Sequence, residues 1–204
     1  MNRKLLKLIV LTTLATTSYL SAETNSNGFY IGVDAAFINI GKDTLDITVY
    51  DSNENQKSKK QYRDVTSINY GFKVGYQHFD KNRVEILIND KKINTDVGDI
   101  TAITLGANYE WGFTSFSSEN VLPYLLVGVD AGQAKFNNFE LADKEVDTFG
   151  INFGLGIRYH VNENIDAKIG YIHSSTAFGD FEDDKGDITA INQDKVDFGI
   201  TYKF

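Results

Sequence analysis

From Gly28 to the C-terminus, apolar and polar residues alternate singly in eight separated stretches. A period of two is the signature of strands, because successive side chains leave a strand on opposite faces. The apolar sets are Phe29, Ile31, Val33, Ala35 and Phe37; Ile68, Tyr70, Phe72, Val74 and Tyr76; Val84, Ile86 and Ile88; and Ile103, Leu105, Ala107, Tyr109, Trp111 and Phe113. Then follow Leu125, Val127, Val129 and Ala131; Phe149, Ile151, Phe153, Leu155, Ile157 and Tyr159; Ile165, Ala167, Ile169 and Tyr171; and Val196, Phe198, Ile200, Tyr202 and Phe204. The interleaved positions are crowded with glycine, among them Gly71, Gly75, Gly106, Gly128, Gly132, Gly154, Gly156, Gly170 and Gly199. The expected fold is therefore all-β, with an even number of strands.

Composition decides which all-β classes remain. A chain of 204 residues suggests one domain. Its one continuous apolar stretch, near the N-terminus, excludes a bundle of membrane helices but not a membrane barrel. Without cysteine there can be no disulfide scaffold, zinc knuckle, iron–sulfur cluster, thiol nucleophile or lipidated N-terminal Cys. With 28 acidic against 20 basic residues, the chain has no positive footprint for nucleic acid. Residues 1–22 have the layout of a secretory signal peptide: basic Arg3, Lys4 and Lys7, an apolar run, then Ser21-Ala22. Cleavage there leaves a domain over 23–204 with 17 basic residues.

Which face is greasy settles the surroundings. Glycine on the polar face relieves crowding in a narrow lumen, whereas Tyr76, Trp111, Phe113, Tyr159, Tyr202 and Phe204 fall at strand ends and would girdle one rim. The expected architecture is an eight-stranded antiparallel up-and-down transmembrane β-barrel, closed because unpaired backbone in hydrocarbon is costly. Long connections near 39–61, 90–99, 137–147 and 174–192 alternate with short ones near 79–82, 114–120 and 161–164. That pattern sets short periplasmic turns against long extracellular loops and puts both chain ends in the periplasm. Inward parity then collects Asp34, Lys73, Arg83, Glu85, Glu110, Asp130, Arg158, Asp166, Lys168, Lys195, Asp197 and Lys203. Six acids facing six bases in so narrow a lumen should pair and plug it; the alternative is an ion path through Lys73, Arg83, Glu85 and Arg158.

Three stretches carry a family likeness: Pro123–Gly132, Gly154–His160 followed by Ile169-Gly170-Tyr171, and Val196–Phe204. The chain resembles the small eight-stranded outer-membrane β-barrel proteins, the group of the OmpA and OmpX-type transmembrane domains. The likeness implies a structural or adhesion-like surface role without a cofactor, in contact with outer-membrane lipids and lipopolysaccharide. It implies that Phe198, Ile200, Tyr202 and Phe204 form the signal read by the barrel assembly machinery. It also leaves no residues for the peptidoglycan-binding domain of larger relatives, so anchoring to the wall is not expected.

Two other classes compete. Tyr171-Ile172-His173-Ser174-Ser175 sets His173 and Ser175 on one face, as base and nucleophile. This is similar to the outer-membrane lipid A deacylases, although their Asn position is Thr176 here, and Glu182, Asp183, Asp184 or Asp187 would have to supply the acid. A soluble periplasmic lipid carrier of lipocalin shape would instead turn the apolar faces inward. His78, His160 and His173 do not form a metal set. The polar stretch 52–60 and the acidic run 180–187, which lacks calcium-loop spacing, are solvated loops, or contacts for lipopolysaccharide through divalent ions or for an extracellular ligand.

Overall fold

The computed structural model describes residues 27–38, 44–50, 56–63, 66–79, 81–95, 98–113, 120–137, 145–179 and 188–204. The expected signal peptide and the acidic run at 180–187 lie outside the described residues. Ten strands follow one another: β1 (Gly28–Ile38), β2 (Thr44–Tyr50), β3 (Gln56–Arg63), β4 (Thr66–His78), β5 (Asn82–Asn94), β6 (Asp99–Gly112), β7 (Val121–Asn137), β8 (Glu145–His160), β9 (Ile165–Gly179) and β10 (Ile188–Lys203). Eight of them, β1 and β4 to β10, pair antiparallel with their neighbours, and β1 closes on β10 from Tyr30↔Lys203 to Ile38↔Lys195.

Register fixes the shape. Cα partners followed around the barrel from Tyr202 through Ile31, Val74, Ile86, Ala107, Val129, Ile151 and Ser175 return to β10 at Asn192, ten residues away. A stagger of ten over eight strands tilts each strand by about 40° and gives a backbone radius of about 8 Å. Such an interior is filled by the barrel's own side chains.

The described strands reach well into stretches read above as loops. β5 continues through Asp90–Asn94, β8 begins already at Glu145, and β9 and β10 run through much of the last connection. The first connection contains the hairpin β2–β3, and β2 pairs with the upper end of β10 from Ile188↔Tyr50 to Ile191↔Ile47. The period of two persists in these extensions, but its phase inverts. On β7, Leu125, Val127 and Val129 face outward and are followed by exposed Gln133 and Lys135, while inward Asp130 gives way to buried Ala134 and Phe136. Ile93, Ile100, Ala102, Ala134, Phe136, Phe178 and Ile191 consequently form a buried apolar cluster at the end of the barrel away from the termini. Apolar residues face out along a belt roughly 22 Å tall and face in above it, as expected where the outer surroundings change from hydrocarbon to water.

At the lower rim, register brings Trp111, Phe113, Tyr159, Tyr202 and Phe204 within roughly 8 Å of one another along the axis. Trp111 stacks on Phe113, and Tyr202 meets Phe204 edge to face. Tyr76, expected in the exposed girdle, departs from it: its ring is 8% exposed because Phe29 lies edge-on against it at 5.0 Å. Phe29 takes the exposed place. An inward tyrosine explains two of the inward glycines. A Cβ on Gly156 or Gly170 would stand 2.6 or 2.5 Å from the Tyr124 hydroxyl, so the ring lies across the space these residues leave. The turn at 161–164 is held by Asn162, whose Oδ1 accepts from the backbone N–H groups of Asn164 and Ile165 at 2.9 Å.

Candidate functional site

Inside the lower half of the barrel the charged side chains form a lattice that spans the lumen. Lys73 Nζ lies 3.0 Å from Asp34 and 3.1 Å from Glu85, and the Tyr30 hydroxyl donates to Glu85 at 2.8 Å. Lys168 stands among Asp197 at 3.0 Å, Asp34 at 3.4 Å and Glu110 at 3.5 Å. Arg158 donates to Glu110 at 2.6 Å and to the Lys81 carbonyl at 3.2 Å. Arg83 donates to Asp166 and, through Nε and Nη2, to Gln77, while its guanidinium sits 4.5 Å over the Tyr30 ring. His160 faces Asp166 across 2.5 Å. Lys73, Arg83, Glu85, Glu110 and Arg158 are each at most 1% exposed, which is tolerable only because every charge has a close counter-charge.

A second, smaller group lies higher. Lys91 meets Asp130 at 2.8 Å, Asn152 donates to the other Asp130 oxygen at 2.9 Å, and Ser174 donates to Asn152. Lys195 is buried beside them, while Lys203 is half-buried at the lower rim. The twelve charges selected by parity are thus distributed between two levels and a rim. The four residues considered for an ion path are all engaged within the lower level. Parity over the shorter strands missed Lys91 and Ser174, whereas Tyr30, Gln77 and Asn152 fall on its inward face but are uncharged and so stand outside the twelve. Lys91 lies just past the last outward apolar residue of β5, Ile88, so only the continuing period could have flagged it.

The outer wall also carries a polar group, on β9 and β10. Asp194 Oδ1 accepts from the Tyr171 hydroxyl at 2.6 Å and lies 2.9 Å from His173 Nδ1. Ser175 is on the same outward face of β9, with Asn192 as its Cα partner on β10. The acid facing His173 therefore comes from a neighbouring strand. Glu182, Asp183, Asp184 and Asp187, expected to supply it, lie outside the described residues. His78 packs against Phe79 and Tyr109 at the lower rim, so the three histidines stand apart, and no metal-binding group of three gathers among the described residues. The carrier reading is overturned by the outer wall: Val33, Phe72, Phe153, Leu155 and Ile200 are all more than half exposed, whereas the ions are inside.

Neisserial surface protein A superposes with a TM-score of 0.54 at 18% identity, over 87% of this chain and 97% of that one. OprG from Pseudomonas aeruginosa gives 0.49 at 15%, over 87% and 96%. The N-terminal barrel domain of Pseudomonas aeruginosa OprF gives 0.42 at 18%, over 86% and 97%. No curated protein matches the chain significantly. The sequence profile of the outer membrane protein beta-barrel domain matches residues 8–204, and it is to this family of integral outer-membrane barrels that the chain belongs.

Proposed function

We propose that the protein is a closed, non-catalytic barrel whose rigid wall displays loops at the cell surface for a structural or adhesion-like role. The supporting observation is the lattice joining Lys73, Lys168, Arg158 and Arg83 to acids on facing strands, which occupies the route along the axis. In this reading residues 1–22 are removed on export and both termini lie in the periplasm. The final strand from Phe198 to Phe204 is read by the assembly machinery, and the outer ends contact lipopolysaccharide or an extracellular ligand. Planar-bilayer recording tests the closed lumen: the purified barrel should insert without current steps. Regular, reproducible steps would defeat it.

A second reading is favoured by the bond between His173 and Asp194. With Nδ1–H held by Asp194, His173 Nε2 is left as a base, and Ser175 on the same face is a nucleophile for an ester carbonyl in the outer leaflet. The serine proton would pass to Nε2, the alcohol would leave, and water would release the acid from the acyl-enzyme. Lipid A from cells expressing the protein should then lose an acyl chain, and Ser175→Ala should restore it. Identical lipid A mass spectra with and without expression remove this reading.

A further inference from the structure

Between the ionic lattice below and the apolar cluster above lies a chamber of about 50 Å³. Its walls include three ammonium groups, those of Lys91, Lys168 and Lys195, three carboxylates, those of Asp34, Asp130 and Asp197, and the carboxamides of Asn69, Asn89 and Asn108. Two of the ammonium groups are accounted for: Lys168 by Asp34, Asp197 and Glu110, and Lys91 by Asp130. Lys195 is not. It is 6% exposed and makes no ion pair or hydrogen bond with any described residue. The acids facing it are Asp130 and Asp197, and both already hold another lysine. Charges in the chamber balance three against three, but Lys195 is the one ammonium there without an ion pair of its own among the described residues.

A lone buried ammonium costs far more than a paired one. We propose that the chamber is a binding site for one small monovalent anion, of the chloride class, held by Lys195. The size fits, because about 10–15 Å³ of such space holds one water, leaving room for an ion and a few waters. The chemistry fits too, since Lys91 and the carboxamide N–H groups of Asn69, Asn89 and Asn108 supply further donors around the same space. The site goes beyond surface display. It lies in the lumen proposed above to be closed, but the two claims fail separately, because a leaky barrel conducts whatever its response to halide.

The test uses the whole barrel refolded in detergent, with its unfolding midpoint read from heat-modified gel mobility. Sodium chloride and sodium gluconate are compared at equal ionic strength. Chloride should raise the midpoint by several degrees with saturation, as binding to the folded state alone requires. Lys195→Met should remain heat-modifiable and lose the difference. Crystals grown in bromide should show anomalous density beside Lys195 Nζ, a readout that stands even if the variant does not refold. Equal midpoints in the two salts, a chloride effect retained by Lys195→Met, or a chamber holding only water would overturn the proposal.

Discussion

Replacing Glu110 by Leu should be among the most damaging single changes in the lumen, and the geometry says by how much. Glu110 is fully buried; it accepts from Arg158 at 2.6 Å and lies 3.5 Å from Lys168. Without it Lys168 keeps Asp34 and Asp197, but Arg158 is left with the Lys81 carbonyl alone. Removing one partner of a buried pair strands the other charge, which costs about 3–5 kcal/mol. Arg158→Met should cost less, because Glu110 retains Lys168. The double variant, which replaces the pair with apolar groups of similar volume, should be more stable than Glu110→Leu by about 2 kcal/mol or more. Trp111, the only tryptophan, stands half-exposed on the outer wall and reports urea unfolding by fluorescence without being touched by any of these changes. Single variants that each cost under about 1 kcal/mol, or a double variant whose loss equals their sum, would mean that water screens the pair. The account of a dry ionic lattice would then be wrong.

The position of the phase inversion can be measured on one strand: Val129→Arg should cost about 2–4 kcal/mol of refolding free energy in vesicles, and Gln133→Arg about 0–1. Equal costs would mean the belt does not end between them. Phe178→Ala, which hollows the apolar cluster, should cost about 3–5 kcal/mol of local stability. Protease cleavage of the upper strand ends should rise while the folded gel band of the lower barrel persists. Gly170→Ala, whose new methyl would press on the Tyr124 hydroxyl from 2.5 Å, should lower the urea midpoint, and adding Tyr124→Phe should recover part of the loss. A midpoint that Tyr124→Phe leaves unmoved would place the crowding elsewhere.

Much of the barrel was legible because lipid imposes a strict rule. An outward residue in the belt must be apolar, so an error of parity would push several charges into hydrocarbon at once. Leu125, Val127 and Val129 thereby fix the facing of all of β7, and on other strands Asp34, Lys73, Glu85 and Glu110 lie on the inner side of the wall. What escaped were features set across the lumen or above the belt. Parity says that Lys195 faces in, but whether it meets an acid depends on strands far away in sequence. Asp90 and Lys92 resembled loop residues because their polarity reports water outside, although their backbones continue the ladder. Asp194 opposite His173 depended on the register of β9 with β10, and a shift of one residue would turn it away. The covering of Tyr76 by Phe29 is likewise a matter of how neighbouring rings tilt, which a pattern of twos does not contain.

The seam of the barrel has a consequence for the order of assembly. Every other junction in the wall joins strands adjacent in the chain or separated only by the short β2–β3 excursion, so those hairpins can form from local segments. The seam joins β1 to β10, pairing Tyr30 with Lys203, and higher up the same edge of β10 is taken by β2. Contacts between the two extremities of a chain come at the highest loop-closure cost and form last. Until they do, two rows of unpaired amides and carbonyls face hydrocarbon. A molecule missing its final strand is therefore an open sheet rather than a weaker barrel, and the arrival of β10 is the event that commits the whole chain to the membrane.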